Sequence, residues 1–449
     1  MAATHTMDLT QGSVTKKLIS FALPIYLSSV LQHLYTIADR AMVGNFAKNG
    51  AIALAAVGAT GSATSLLLGL FTGISVGVNA ICSNLKGARR DAELQKAMHS
   101  AVILSGILGI ILGVAGFFLS GRILTLMSTP KSVLADATLY MKIYFTGVPA
   151  AMVYNFGAAI LRSHGDTKRP MYILGLTGLV NVGLNLVFIL GLHRGVDGVA
   201  IATVVAQYLS AGVVLWVLFS PKEAYRLQLN RLGLDRAQTW KMISIGVPCG
   251  LNGILFSISN VILQSSINSF NSADIIAGNT AASDINNFMY LACDALCVAC
   301  VSFSGQCFGA QQYKRLDKLA ISASVTGLTV MLVFSGIILA FPRTLLGIFN
   351  SDPSVIEAGL FHLRVCSLGT VLYVVAPIMT GTVRGMGKSM MPMILNILCI
   401  CGVRLLWVLV LFPHYRQINF LYLCYPVSWG CCTLAQLVYF LHCRKKIYA

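Results

Sequence analysis

The sequence predicts an all-α membrane protein, with twelve transmembrane helices in two six-helix bundles related by a pseudo-twofold axis along the membrane normal. Three observations predict it. Of 449 residues, 56% are hydrophobic and only 10% charged, where a soluble domain carries about 25% charged residues. The positive charges fall in short clusters between long apolar stretches. Sequence islands recur, in order, at an offset near 222 residues. The composition excludes a soluble enzyme, a coiled coil and a disordered chain.

A helix needs about 20 apolar residues to cross the hydrocarbon. Scanned at that length, the first span is 18–42. It follows Lys16-Lys17 and exceeds a signal-peptide core, so it reads as a retained span. The second, 52–82, closes at the Lys86/Arg89/Arg90 cluster. Spans 96–119 and 134–160 flank Arg122 and Lys131, and Lys168-Arg169 opens 170–192. Arg194 separates that span from 197–219. The longest connection, Ser220 to Trp240, carries Lys222, Arg226, Arg231 and Arg236. Spans 240–267 and 274–306 follow, then Lys314-Arg315 and Lys318 at the edge of 317–341. Arg343 precedes 355–382, Arg384 and Lys388 precede 390–412, and Arg416 precedes 420–442. The last span ends at Arg444-Lys445-Lys446.

These spans use most of the chain, which excludes a nucleotide-hydrolysing domain, and no GxxxxGK[ST] loop occurs. The termini and the loops after even-numbered spans hold about 22 Lys and Arg; loops after odd-numbered spans hold about six, Lys48 among them. The bias puts both termini in the cytoplasm of a bacterial-type plasma membrane. The net charge of +17 therefore reads as topology, and no nucleic-acid partner is expected. Thirteen cysteines lack disulfide or zinc spacing. Cys293, Cys297 and Cys300, at i, i+4, i+7, read as small apolar contacts on one helix face.

The repeat pairs Arg162-Ser-His-Gly165 with Arg384-Gly-Met-Gly387, and Lys17 through Pro24 with Lys241 through Pro248. It also pairs Lys86-Gly87-Ala88 with Phe308-Gly309-Ala310. It divides the chain into an N-terminal bundle (1–219), a cytoplasmic linker (220–240) and a C-terminal bundle (241–449). An even helix count per half makes the repeats parallel, which is transporter architecture.

Charge at membrane depth costs about 2.5–3.5 kcal/mol, so intramembrane ionisable groups are functional candidates. Asp39 stands in the outer half of the first span; neighbouring Arg40 points about 100° away and can snorkel outward. Asn181 and Asn185 share a face of the fifth span, either lining a cavity or binding helices together. Thr203 and Gln207 repeat the spacing on the sixth. One carboxylate among amide and hydroxyl oxygens suits a proton or Na⁺. On the eighth span, Asp284, Asn286, Asn287 and Asp294 are candidates. Arg404 could pair with one of the acids; alternatively Asp294 faces the cavity and attracts a cationic substrate. Gln207, Asp284, Asn287 and Asp294 form the expected substrate cavity.

With these motifs in place, the chain resembles the multidrug and toxin extrusion (MATE) transporters. The resemblance rests on Ala38-Asp39-Arg-Ala-Met-Val43-Gly44, Ala55-Ala-Val-Gly58, Gly87-Ala88-Arg89, Leu161 through Pro170, Gly198 through Thr203, and Gly305-Gln306-Cys-Phe-Gly309-Ala310. It implies a non-enzymatic secondary-active exporter of small, often cationic organic compounds, exchanged for H⁺ or Na⁺ by alternating access. No cofactor is expected beyond the coupling ion, and no metal beyond Na⁺ at Asp39. The expected working unit is a monomer in the bilayer. By the resemblance, Asp39, Asn181 and Thr203 match the family's N-terminal cation site. Asn185 stands where some members carry an aspartate, which leaves Asp39 the sole carboxylate there. The alternative is a flippase for a lipid-linked precursor from the same wider superfamily. That function would want several cations in one cavity, for which Arg364 and Arg404 are the candidates.

Overall fold

The structure is a computed structural model describing residues 6–46, 50–127, 129–221, 226–228, 230 and 232–448. Lys48, Lys222 and Arg231 of the charge clusters lie outside the described residues, as does part of the expected 220–240 linker. Every long element is helical, with no strand among the described residues. The helices are α1 (Val14–Phe46), α2 (Gly50–Gly87), α3 (Asp91–Leu126), α4 (Lys131–Ser163), α5 (Lys168–Gly191) and α6 (Val196–Phe219). They continue as α7 (Arg236–Asn268), α8 (Ala273–Gly309), α9 (Tyr313–Ala340), α10 (Pro353–Gly385), α11 (Met390–Leu411) and α12 (Ile418–Tyr448). All but α2, where several side chains lie outside the description, are long and apolar enough to cross a membrane.

Most helices outrun their apolar cores. α3 starts at Asp91, ahead of the expected 96, because Asp91 and Glu93 in its first turn favour a helix N-terminus. α7 likewise begins at Arg236, where Asp235 Oδ1 accepts from Gln238 N at 2.9 Å. Asp352 caps α10, accepting from Ser354 N at 2.9 Å, with Pro353 in the first turn. Pro24, Pro149 and Pro248 lie inside α1, α4 and α7, where each removes a backbone hydrogen bond. Large apolar side chains face outward: Phe118 and Trp216 are each 74% exposed and Leu409 is 70%. Water would penalise that surface, whereas lipid is its matching solvent.

The helices gather into two compact units. One comprises Leu27–Gly250 with the segment ending at Asp8; the other comprises Leu9–Tyr26 and Leu251–Ala449. The first half of α7 thus packs within the first unit. There Gly73 and Gly77 of α2 meet Gly246 and Gly250 of α7 so closely that an added Cβ would overlap backbone atoms. The first unit's core runs through Met98, Met141, Phe145 and Phe156. In the second, Arg315 donates to the carbonyls of Leu9, Gln11 and Gly12 at 2.9, 2.7 and 2.8 Å, and Gln306 Oε1 accepts from Leu9 N at 3.1 Å. The Gly305-Gln306 island thereby anchors the segment before α1.

The repeat is also written in the backbone. Gly165 and Gly387, 222 apart, have φ of +90° and +84°, and Arg89 and Gln311, also 222 apart, have +55° and +57°. α5 ends in a π-helical turn, Val187–Gly191, and α11 carries two, Ile397–Gly402 and Trp407–Leu411. Cys293, Cys297 and Cys300 are all buried, as small contacts between helices would be.

Candidate functional site

Within the first unit, α1, α5 and α6 converge on Asp39. Asn185, fully buried, points Nδ2 at Asp39 Oδ1, 2.5 Å away. The Asn181 amide is best satisfied with its nitrogen 3.0 Å from the same Oδ1 and its oxygen 3.3 Å from the Thr203 backbone N–H. The Thr203 hydroxyl donates to Val199 O at 2.9 Å, leaving its lone pairs toward the site. Four residues named from sequence, Asp39, Asn181, Asn185 and Thr203, are thus brought into one cluster.

The carboxylate receives amide donors and no ion pair: among the described residues neither Lys nor Arg lies within bridging distance of it. Arg40 is exposed, and its guanidinium lies toward Gly61 of α2. Asn185 Oδ1 is buried without a donor. Such donors suit a carboxylate at Asp39. Turning either amide by 180° would present oxygen instead, which could accept from a protonated carboxyl or ligate Na⁺ beside Asp39 and Thr203. The same side chains can therefore serve both states.

The cluster opens into a cavity of about 420 Å³, lined also by Gln32, Tyr35, Thr36, Tyr144, Thr177, Gln207 and Ser210. Tyr35 lies against α5, its hydroxyl donating to Gly175 O at 3.0 Å, and an added Cβ on Gly178 would overlap its ring. Gly147 similarly leaves room for the Gln207 amide. Ser210 donates to Thr177 at 2.8 Å across α5 and α6. Tyr35, Thr177 and Ser210 escaped the sequence reading, although each continues a stripe already recognised. Tyr35 is four before Asp39, Thr177 four before Asn181, and Ser210 three after Gln207.

The second unit holds a larger cavity of about 560 Å³, whose lining includes Asn260, Asp284, Asn286, Asn287, Asp294, Arg404 and Trp429. Asp284, Asn287 and Asp294 therefore meet there, whereas Gln207 lines the first unit's cavity. Arg404 pairs with neither acid. It is 1% exposed, donating from Nη1 to Asn260 Oδ1 at 3.0 Å and from Nε to Ser428 Oγ at 3.2 Å. Arg384 is buried as well. Arg364 is exposed and does not line this cavity. Just past the C-terminal end of α4, His164 is buried, and that burial, with the nearby Lys86 charge, pushes its pKa down to about 3. Among the described residues no cluster of three or more His, Cys, Asp or Glu could hold a metal ion.

The sequence matches the MatE family over residues 24–187 and 248–409. It is 25% identical to the "Probable multidrug resistance protein YoeA" of Bacillus subtilis, over 98% of this chain and 96% of that one. It is 24% identical to the "Probable multidrug resistance protein NorM" of Thermotoga maritima, over 87% and 84%. Among solved structures, a MOP-superfamily transporter from Pyrococcus furiosus superposes with a TM-score of 0.91 at 20% identity, covering 98% of both chains.

Proposed function

This chain belongs to the MatE family of multidrug transporters, and from that premise we propose that it exports organic cations in exchange for H⁺ or Na⁺. It is a multi-pass membrane protein and its substrates are small molecules. The finer reading rests on one observation: a single carboxylate, Asp39, sits within the apolar span Val14–Gly44 with amide and hydroxyl neighbours and, among the described residues, no ion-pair partner. A charge so placed is costly unless a proton or cation joins it. Its occupancy changes the net charge of the first unit by one. A ligand shifts a conformational equilibrium only through such a difference between states.

In this reading the two sequence halves, 1–219 and 241–449, alternate access as a monomer, with both termini and the 220–240 linker in the cytoplasm. Asp39, Asn181, Asn185 and Thr203 carry the coupling ion, and no other cofactor takes part. The ion enters when Asp39 faces outside and substrate leaves; the reverse exchange reloads substrate from the cytoplasm. A flippase for a lipid-linked precursor is less well supported. Its pyrophosphate would call for several cations, and Arg404 is the single Lys or Arg among the described residues lining the second unit's cavity.

The test is efflux of a cationic dye from proteoliposomes under separately imposed Na⁺ and pH gradients. One gradient is expected to drive efflux, and Asp39→Asn is expected to abolish that dependence. Full gradient-driven efflux by the variant would sink the proposal.

A further inference from the structure

We propose that the second unit's cavity binds the anionic group of an aromatic organic compound at Arg404. The guanidinium is a permanent charge, and at 1% exposure it is among the largest fully buried side chains of the chain. A buried cation ordinarily finds a carboxylate, yet among the described residues none pairs with it. Its protein acceptors are neutral: Asn260 Oδ1 takes Nη1 and Ser428 Oγ takes Nε. Nη2 has no protein acceptor among the described residues.

Aromatic rings surround the group, with Tyr425, Phe256 and Trp429 centred 4.6, 5.4 and 5.8 Å from its central carbon. Rings stabilise the cation through their π faces and leave a hydrogen-bonding position of the guanidinium for an oxyanion. The buried indole N–H of Trp429 also lacks an acceptor. Asp284 and Asp294 line the same cavity, but neither pairs with Arg404. Charge, unused donors and flat apolar walls together fit a carboxylate or phosphate carried on an aromatic body.

The repeat supplies an independent argument. An offset of 222 carries Asn181 to position 403, beside Arg404, and Asp39 to position 261, beside Asn260. Each half therefore gathers polar side chains at corresponding levels of corresponding helices: α1, α5 and α6 in one, α7, α11 and α12 in the other. The first set carries an acid and the second a base. Two π-helical turns bracket the four residues Val403–Leu406 that hold Arg404. Such turns often mark functional positions.

This assignment extends the proposed substrates from organic cations to aromatic compounds that carry an anionic group, and it rests on the transport reading only for its role as a substrate site, so its test uses binding without any gradient. The full chain, purified in maltoside detergent, is titrated with 2-naphthoate and with its neutral isostere 2-naphthamide by equilibrium dialysis. The acid is expected to bind about tenfold or more tightly than the amide, the worth of a hydrogen bond to a charged group. Arg404→Gln is expected to erase the difference and Arg404→Lys to keep part of it. Equal binding of acid and amide by the unmodified protein would overturn the proposal, with no variant required to fold. Saturable binding of phosphatidylglycerol that Arg404→Gln abolishes, with no binding of naphthoate, would assign the guanidinium to lipid and overturn the substrate reading. Loss of gradient-driven efflux with naphthoate selectivity intact would count against antiport alone.

Discussion

Asn185 on α5 holds its amide nitrogen 2.5 Å from Asp39 Oδ1 on α1, joining residues 146 apart in sequence. The hydrogen bond is charge-assisted and fully buried on the asparagine side. Asn185→Leu keeps the volume close to native and removes the donor. It should cost about 1–3 kcal/mol of stability and cut gradient-driven efflux at least tenfold. Both are read together, by thermal unfolding in detergent and by dye efflux at saturating gradient. If efflux and its ion dependence survived unchanged, the asparagine would be packing rather than coupling machinery.

Gly178 lies against the Tyr35 ring, and a Cβ there would overlap it. Gly178→Ala is expected to push the ring off α5, break the Tyr35 hydrogen bond to Gly175 O and destabilise the protein by about 1–3 kcal/mol. Replacing Tyr35 by Leu frees the space, so the double variant should cost less than the two single changes added together. Thermal unfolding of the four proteins measures that coupling. Strict additivity would show that the methyl is accommodated without moving the tyrosine.

The membrane class, the repeat and the proximity of Asp39 to Asn181, Asn185 and Thr203 were legible because each uses a one-dimensional signal. Hydropathy over one helix length reveals spans, and four-residue spacing reveals faces. What such spacing omits is which faces of different helices meet. Arg404 touches Asn260 and Ser428, 144 and 24 residues away, and no periodicity links those positions. For the same reason spacing alone could not assign Gln207 to the lining of the first unit's cavity and Asp294 to that of the second's. Tyr35 was passed over because a tyrosine among apolar residues adds little polarity to the stripe it belongs to.

His164 is buried beside α4, with Nδ1 2.9 Å from Ile160 O. Its pKa, lowered to about 3 by burial and by Lys86, compares with an unfolded value near 6.5. Above pH 6.5 both states are neutral and the residue adds no pH dependence. Below it the unfolded chain takes up the proton first, so stability falls as pH drops from about 6.5 toward 3. At pH 5 the loss is on the order of 2 kcal/mol. His164→Gln should therefore flatten thermal stability between pH 7 and pH 5 relative to the unmodified protein. A parallel pH profile in the two proteins would show that the imidazole titrates normally.

Gly165 and Gly387 occupy equivalent turns of the two halves with nearly the same positive φ. A side chain at such φ costs about 1–2 kcal/mol in either place. Their surroundings differ. A Cβ on Gly165 would overlap the backbone of Met7, whereas nothing lies within 4 Å of one on Gly387. Backbone cannot yield as the end of a flexible side chain can, so Gly165→Ala must also displace the segment before Asp8. Gly387→Ala should lower stability by the conformational cost alone, and Gly165→Ala by distinctly more. Thermal unfolding of the two variants under one condition compares them directly. Cleavage near Met7 in limited proteolysis should rise only for Gly165→Ala. Equal losses at the two positions, with Met7 protected in both, would mean that the segment is not seated against that turn.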